Sequence, residues 1–381
     1  MTRRTPNLAP VAALALLAAA WACGPREKTT DEPAAVAGLQ EEMRTPPSVE
    51  FGAINAMTVD SRGRIFVGDG AQIVVLRPDG SVQARMGREG FGPGEFKWIN
   101  TLAVLPRDSL YVYDSGLRRV TVYAAGGERP AYTTTLPGPE AVTPVTAKPA
   151  GGGIVAAYQT ALGDVPGREQ GGRLPVILRL LNTDASIRSD SLVLLREPQA
   201  LRIYNGEGRG HLFYPFARRS LFAVSPAGTV YEAWTDSLRF TAHALDGRTR
   251  WTVSEPFKPR PVTRHEMDSV VNALTGAPFS AQTVRRALRA TGTQTWPALR
   301  SFLVDDRERL WVSLTPAREQ RDVEWRVLTR RGRAGTLRLP ESVQLLAVRG
   351  ERAYAIAHDE DDVQSVVVYR IQPGPAGKEA R

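Results

Sequence analysis

The chain has 381 residues and a net charge of +9 at pH 7, so it is long enough for one large repeat domain or two ordinary domains. Its 34 glycines and 28 prolines follow no fixed period, which fits an all-β chain with many turns and excludes a collagen-like chain. Lys and Arg are spread along the sequence and form no basic stripe with interleaved aromatic residues. This distribution disfavours nucleic acid as a partner.

Residues 1–22 have the organisation of a signal peptide. Arg3 and Arg4 precede an apolar run over residues 8–21, which is too short for a transmembrane helix. The run is followed by Cys23, the only cysteine in the chain, so no intramolecular disulfide can form. Removal of this segment takes away two arginines and no acidic residue, which leaves a net charge of +7.

The segment around Cys23 resembles a bacterial lipoprotein signal. The resemblance implies secretion across the inner membrane, lipidation of Cys23 and a lipid anchor in the cell envelope, at the outer membrane or on the periplasmic side. Ordinary secretion with cleavage after Ala22 is the alternative, and it cuts the same bond. Residues 23–47 are polar and show no apolar period, so we expect a flexible tether between the anchor and a folded domain.

Residues 48–372 repeat a unit of four short strands. In the first unit, turns at residues 60–63 and 78–80 separate apolar segments with the composition of strands. Five further units begin at Thr101, Val145, Leu221, Ser301 and Gln344.

The sixth unit has only three strands, and a spare strand at residues 49–51 precedes the first unit. We expect this N-terminal strand to complete the last unit and close a ring, because closure removes exposed sheet edges. Six successive four-stranded units over residues 48–372 predict an all-β fold, a six-bladed β-propeller. Residues 373–381 are expected to be a disordered tail.

The first two units are joined by residues 87–96, GREGFGPGEF, in which four glycines permit a tight crossing. A phosphate-binding loop would need a helix directly after the glycines, but residues 98–105 have a strand pattern. We therefore interpret the segment as the crossing between two blades, with Phe96 packed between them.

This crossing, followed by LYVYDSGLRRVTVY, resembles an NHL-type repeat, and residues 48–372 resemble bacterial six-bladed β-propeller proteins. The likeness is clearest in the first two units, and the phrase AMTVDSRGRIFV at Ala56 returns as FLVDDRERLWV at Phe302. Many proteins of this kind are secreted or lipid-anchored. The resemblance implies a binding platform for a small ligand or an envelope protein and does not imply a particular reaction.

Every long excursion of the chain is predicted at the same end of the ring, where the loops between second and third strands and the crossings between blades lie. These excursions are residues 159–175, 196–216, 254–297 and 314–324. Long loops on a rigid scaffold are often functional. We therefore predict that this long-loop face binds the partner.

The insertion at residues 255–295 predicts two helices. Thr263 and Glu266 form a capping-box pattern, and Ser280 can cap the second helix. The second helix carries Arg285, Arg286 and Arg289 on its polar side. The helical pair is expected to be a structural lid, or a cover whose arginines face an anionic partner.

The predicted ligand-binding residues precede the innermost strands at the mouth of the ring, and they combine aromatic and basic side chains. They are Trp98, Asn100, His211, Tyr214, Arg218, Arg219, Trp296 and Arg300. Such a set suits sugars, peptides or carboxylates, and Arg218 is the strongest single candidate. The alternative is that the aromatic residues pack between blades while the arginines are solvated.

Nothing in the sequence predicts a catalytic residue, a cofactor or a metal ligand set, and enzyme activity is the weaker expectation. The chain lacks the nucleophile-elbow, zincin and Walker patterns. Related propeller lyases and lactonases hold a metal in the central channel, so a metal-dependent hydrolase or lyase is the alternative function. The turn at residues 358–362 is expected to be solvated, with weak Ca²⁺ binding as the alternative. We expect a monomer.

Overall fold

The structure is a computed structural model that describes residues 35–138, 142–160, 176–205, 208–276, 279–316 and 320–374, without the side chains of residues 160, 202–205 and 208–211. The predicted signal peptide, Cys23, the first part of the predicted tether and residues 375–381 lie outside this range. In the described part of the chain, no helix is long and apolar enough to cross a membrane.

Antiparallel sheets of four strands follow one another along the first half of the chain. A strand before them, β1, spans Val36–Arg44. The first sheet contains β2 Ile54–Val59, β3 Ile65–Asp69, β4 Gln72–Leu76 and β5 Val82–Met86. The second contains β6 Ile99–Val104, β7 Leu110–Asp114, β8 Arg119–Tyr123 and β9 Pro130–Thr135. The third contains β10 Val142–Ala150, β11 Gly153–Thr160, β12 Val176–Asn182 and β13 Ile187–Leu195.

A two-stranded hairpin separates the third sheet from the fourth, and two helices follow the fourth. The hairpin contains β14 Leu201–Asn205 and β15 Gly208–Leu212. The fourth sheet contains β16 Ser220–Val224, β17 Val230–Trp234, β18 Leu238–His243 and β19 Thr249–Glu255. The helices are α1 Arg264–Leu274 and α2 Ala281–Ala290.

The remaining strands form one eight-stranded sheet together with β1. They are β20 Leu299–Val304, β21 Leu310–Leu314, β22 Asp322–Thr329, β23 Gly332–Pro340, β24 Val343–Arg349, β25 Arg352–His358 and β26 Gln364–Pro373. Their order is β20-β21-β22-β23-β1-β26-β25-β24. Only the pair Val36 and Gly335 joins β1 to β23, in parallel, whereas β1 runs antiparallel to β26 along most of its length.

The first strands of successive sheets are neighbours around a ring. β2 contacts β6, β6 contacts β10, β10 contacts β16, β16 contacts β20, β20 contacts β24, and β24 returns to β2. Most of the buried apolar side chains lie between neighbouring sheets, which is where a ring of sheets must bury its faces. The arrangement is that of a β-propeller.

The strand that joins the last sheet at the N-terminal end is β1 and not the predicted residues 49–51, so the prediction of a flexible tether was wrong for Val36–Arg44. Two register shifts, between Val36 and Gly38 and between Glu41 and Met43, interrupt its pairing with β26. These bulges remove the alternation that would have marked a strand in the sequence. Glu42 on β1 pairs with Arg352 and Arg370, which explains why a charged residue belongs there.

The glycine-rich crossing packs as expected. Phe96 is fully buried in a cluster with side chains of the first and second sheets. Gly87 has a φ of 78°, and a Cβ atom there would lie 2.7 Å from the Phe96 ring. Only glycine adopts this positive φ readily and has no Cβ atom that would displace the Phe96 ring.

The helical insertion has the predicted caps. Glu266 N donates to Thr263 Oγ1 at 3.2 Å, and the Glu266 carboxylate accepts from Thr263 N at 2.9 Å. Ser280 accepts from Thr283 N at the start of α2. The apolar sides of both helices pack on Tyr214 and Phe216, so the insertion forms a small core of its own beside the ring.

Candidate functional site

A cavity of about 840 Å³ opens at the end of the ring where the long loops lie. Its wall combines parts of the third and fourth sheets, the crossing between them, residues of α1 and beside the helical pair, the start of β20 and the β21–β22 loop. Of the eight predicted ligand-binding residues, five line it: Tyr214, Arg218, Arg219, Trp296 and Arg300. The structure therefore brings together residues that are up to 86 positions apart in sequence.

Arg218 is buried in the cavity wall, and neighbouring groups occupy most of its donors. Its Nε donates to Asp236 Oδ1 at 2.9 Å, and its Nη1 donates to the Phe216 and Thr295 carbonyls at 3.0 and 2.6 Å. Its Nη2 donates to Thr295 Oγ1 at 2.5 Å. Four of the five guanidinium N–H groups are thus engaged. Arg218 fastens the segment after the helices to the start of the fourth sheet.

Aromatic side chains form the wall under the helical pair. The Tyr214 and Phe216 rings meet edge-to-face at 4.9 Å between centroids, and Phe216 meets Trp296 at 5.9 Å. Tyr214 and Phe216 are buried against apolar residues of α1 and α2. Tyr214 therefore packs against the helices, whereas the alternative for the aromatic residues was packing between blades.

Arg260 and Glu266 form an ion pair in the same wall, with 2.7 Å between Nη1 and Oε1. The Arg260 guanidinium also lies 4.6 Å from the centroid of the Trp296 ring. Partial burial acts to raise the pKa of Glu266, but hydrogen bonds from the Thr263 backbone and from Arg260 outweigh it and lower the pKa to about 2. Glu266 therefore carries its negative charge throughout the physiological range and neutralises Arg260.

Arg219 differs from these anchored residues because its side chain is exposed. Its backbone is fixed, since Arg219 N donates to Thr235 Oγ1 at 2.9 Å and Thr235 N donates to the Arg219 carbonyl at 3.0 Å. Within the described residues, no hydrogen-bond or ion-pair partner contacts its guanidinium. A rigid backbone with a free guanidinium is well suited to binding an anion.

Arg300 and Arg196 add positive charge to the cavity. Arg300 lies 3.3 Å from Glu341, but both side chains are about half exposed, so this pair is weak and can exchange. Arg196 lies over the Trp234 ring at 5.7 Å. Counting the described lining residues, five arginines face two glutamates, so the cavity carries an excess of positive charge.

Three predicted residues are not among the described residues that line the cavity. Trp98 and Asn100 lie at the start of the second sheet; Trp98 is 47% exposed, and the Asn100 side chain accepts a hydrogen bond from Thr101. The backbone of His211 lies on β15, and its side chain lies outside the described residues.

The other histidines are dispersed. His243 lies 3.3 Å from Glu232, and His358 lies 2.6 Å from Asp362 in the acidic turn. Over residues 35–374, as far as they are described, no three or more His, Cys, Asp or Glu side chains are grouped as a metal site would require.

Sequence reasoning missed Gln199, Arg260 and Phe213. Gln199 Oε1 accepts from Arg218 N at 3.1 Å, and Phe213 is 54% exposed at the cavity. These residues lie in irregular segments, where the sequence carries no period that fixes side-chain direction. For Glu266 the capping box was a signal, but it did not indicate the ion pair with Arg260.

No family model matches the chain, and no curated protein matches its sequence. Several solved structures resemble it. One is a Bacteroides fragilis protein whose name describes it as exported. It is 11% identical to this chain, with a TM-score of 0.50, over 88% of this chain and 95% of that chain. A member of the DUF4221 family from Bacteroides vulgatus shares 8% identity with a TM-score of 0.47, over 90% of this chain and 100% of that chain.

The WD40 repeats of RRP9 share 9% identity with a TM-score of 0.46, over 89% of this chain and 99% of that chain. At 11% identity, the likeness to the Bacteroides fragilis protein shows the fold alone. Together with the ring of first strands, the likeness to the Bacteroides fragilis protein supports one conclusion: the chain is an all-β protein with a β-propeller fold.

Proposed function

We propose that this protein binds an anionic ligand in the cavity at its long-loop face. The observation that carries the proposal is the exposed Arg219 guanidinium on a backbone held at both N–H and carbonyl by Thr235. Arg300 supplies a second cation that is only loosely paired. Carboxylate and phosphate groups match the planar donor fork of arginine, so a ligand with such a group is the expected partner.

The cavity also offers an apolar surface. Phe213 is exposed at its lining, and the Trp296 ring lines it next to Arg260. A volume of about 840 Å³ falls in the range of ordinary small-molecule sites, which are mostly apolar with a few directing polar groups. A carboxylate or phosphate joined to an apolar or aromatic body fits both features.

In this proposal Arg218 positions the site and does not bind the ligand directly. Its Nη groups fix Thr295, and Trp296 follows Thr295 directly in the chain. Substitution of Arg218 would therefore loosen the Trp296 wall and weaken binding indirectly. Substitution of Arg219 would remove a ligand contact and leave the wall intact.

We also propose that the ring has six blades with NHL-like repeats. The eight-stranded sheet divides at the single parallel pair between β1 and β23 into two four-stranded halves. Counted in this way, each of the six neighbouring first strands begins one blade, and β1 supplies the outer strand of the last blade. This count is supported by the repeated phrase, because Asp60 and Asp305 accept the same turn hydrogen bonds from Arg64 N and Arg309 N.

The proposed location is the cell envelope, with a lipid anchor on Cys23. Membrane fractionation of the wild type and of a Cys23→Ser variant tests it. We expect the wild type in the membrane fraction and the variant in the soluble fraction. A wild type that is fully soluble would refute the anchor.

The ligand proposal is tested by thermal shift with a panel of aliphatic and aromatic carboxylates, phosphate monoesters, neutral sugars and amines. We expect melting temperatures to rise only with anionic compounds, because binding to the folded state stabilises it. The rise should vanish in Arg219→Ala and shrink in Arg300→Ala. Arg239→Ala is the matched control, since Arg239 is exposed on β18 of the same sheet and is not among the described lining residues. A panel in which neutral sugars alone raise the melting temperature would contradict the proposal.

A further inference from the structure

Lys148 lies on β10, the first strand of the third sheet, whose neighbours in the ring are β6 and β16. Its Nζ lies 5.7 Å from the centroid of the Phe222 ring on β16. Two residues earlier, the Thr146 hydroxyl lies 3.2 Å from the Thr101 hydroxyl on β6. Side chains of this stretch of β10 therefore contact both neighbouring first strands, around the centre of the ring.

None of the described residues provides an acidic partner for the Lys148 amine. Within the described part of the chain, no group lies within hydrogen-bond or ion-pair distance of its Nζ, which faces the Phe222 ring. Burial lowers the pKa of the Lys148 amine below its ordinary value of 10.5. Desolvation without a counter-charge favours the neutral amine, which is the nucleophilic form of lysine.

The amine is also reachable. The Lys148 side chain is partly exposed, and Phe222, which it faces, lines the large cavity. Lys148 itself is not among the described lining residues, so the amine lies beside the cavity, next to one of the residues that form its wall. The face of Phe222 can stabilise positive charge that forms on the nitrogen.

We propose that Lys148 is a carbonyl-reactive amine, which captures small aldehydes as an imine at the centre of the ring. The lone pair of Nζ attacks the carbonyl carbon, a C–N bond forms, and a proton passes from nitrogen to oxygen to give a carbinolamine. Loss of water then gives the imine, which is protonated to an iminium ion facing Phe222. No oxidant or reductant is needed, and the step does not depend on an anionic ligand for the cavity.

The composition of the chain makes the test sharp, because it contains only five lysines: Lys28, Lys97, Lys148, Lys258 and Lys378. The full chain is incubated at pH 7 with propanal and sodium cyanoborohydride, which reduces an imine to a stable alkylamine. Peptide mass mapping then gives the labelling rate of each lysine. Lys258 is the internal reference, since it is exposed and lies outside any described strand or helix.

We expect Lys148 to be labelled severalfold faster than Lys258 at pH 7, and this preference should disappear above pH 10.5, where ordinary lysines are also neutral. Lys148→Arg keeps a cation opposite Phe222 but cannot form an imine, so it should fold normally and lose only this label. Labelling of Lys148 at the rate of Lys258 or slower overturns the proposal. That result would not affect the proposal of an anion-binding cavity, because the Arg219→Ala variant tests that proposal separately.

Discussion

Replacing Glu266 with Gln tests the wall of the cavity through its dependence on pH. Glu266 accepts hydrogen bonds from Thr263 N at 2.9 Å and from Arg260 Nη1 at 2.7 Å. A glutamine at this position can still accept the capping hydrogen bond from Thr263 N. It cannot carry the negative charge that neutralises Arg260. The substitution therefore isolates the ion pair from the helix cap.

The magnitude follows from the pKa of Glu266, which falls from its ordinary value of 4.5 to about 2. Each pKa unit corresponds to about 1.4 kcal/mol, so the full effect is about 3 kcal/mol. The ion pair accounts for only part of it, because the Thr263 hydrogen bond, which glutamine keeps, also lowers the pKa. Solvent screening reduces it further, because Arg260 and Glu266 keep 23% and 14% of their side-chain surface exposed. We expect about 1–2 kcal/mol of stabilisation from this charge.

The sign is fixed by the direction of the change. The pKa of Glu266 is lower in the folded state than in the unfolded state, so its stabilisation is complete above pH 4.5 and is lost as the pH falls through about 2. At pH 7, hydrogen exchange of the α1 amides should be roughly 5- to 30-fold faster in Glu266→Gln than in the wild type. At pH 3 the ratio between the two proteins should be clearly smaller.

Asp268→Asn is the matched control, because Asp268 also lies on α1 and its pair with Arg285, at 3.3 Å, is about half exposed. This variant should change exchange by less than the equivalent of about 0.5 kcal/mol. Equal exchange ratios for Glu266→Gln at pH 7 and pH 3 would refute the reasoning, as would a control effect of the same size.

Three further substitutions test the ring and its centre. A Cβ atom at Gly335 would lie 2.4 Å from the Val36 carbonyl, so Gly335→Ala should displace β1 and lower the melting temperature, while Gly38→Ala, with open space at its Cβ, should not. Asp305 and Arg309 form a fully buried ion pair at 2.6 Å, so Asp305→Asn should lower the free energy of unfolding in urea titrations by about 3–5 kcal/mol. The pKa of the Lys148 amine is lower in the folded state than in the unfolded state, so Lys148→Met should raise the melting temperature at pH 7. This gain should shrink towards pH 10.5. A gain that is the same at every pH would contradict the reasoning.

Local signals explain why much of the fold could be predicted from the sequence. The turns after Val59 and Leu76, the crossing with Phe96 and the Thr263 cap are all determined by residues within a few positions of one another. Glycine, aspartate and threonine act there through their own backbone conformation and short-range hydrogen bonds. Such features are present in the sequence whatever the rest of the chain does.

The N-terminal strand could not be found in this way. Val36, Leu39 and Met43 contact the core, but the two bulges in β1 break the alternation that a strand pattern requires. Its Glu42 pairs with Arg352 and Arg370, more than 300 positions away. Only the closed ring brings these partners together, so residues 36–44 looked like a polar tether.

The candidate site was predictable in position but not in the role of each residue. The cavity opens at the end of the ring where the long loops were predicted, and five of the eight predicted residues line it. Arg218 and Arg219 are neighbours in sequence and both line the cavity, yet Arg218 is buried as an anchor and Arg219 is exposed. Nothing in the local sequence distinguishes them, because the distinction depends on Thr295 and Asp236, which other segments supply.

The most direct test of the anion site is a binding isotherm for the anionic compound that gives the largest thermal shift. Titration calorimetry would compare the wild type with Arg219→Ala and with Arg239→Ala. A charge-assisted hydrogen bond is worth about 1.5–3 kcal/mol, so we predict roughly ten- to hundredfold weaker binding for Arg219→Ala and no change for Arg239→Ala. Equal affinity of the wild type and Arg219→Ala would contradict the account.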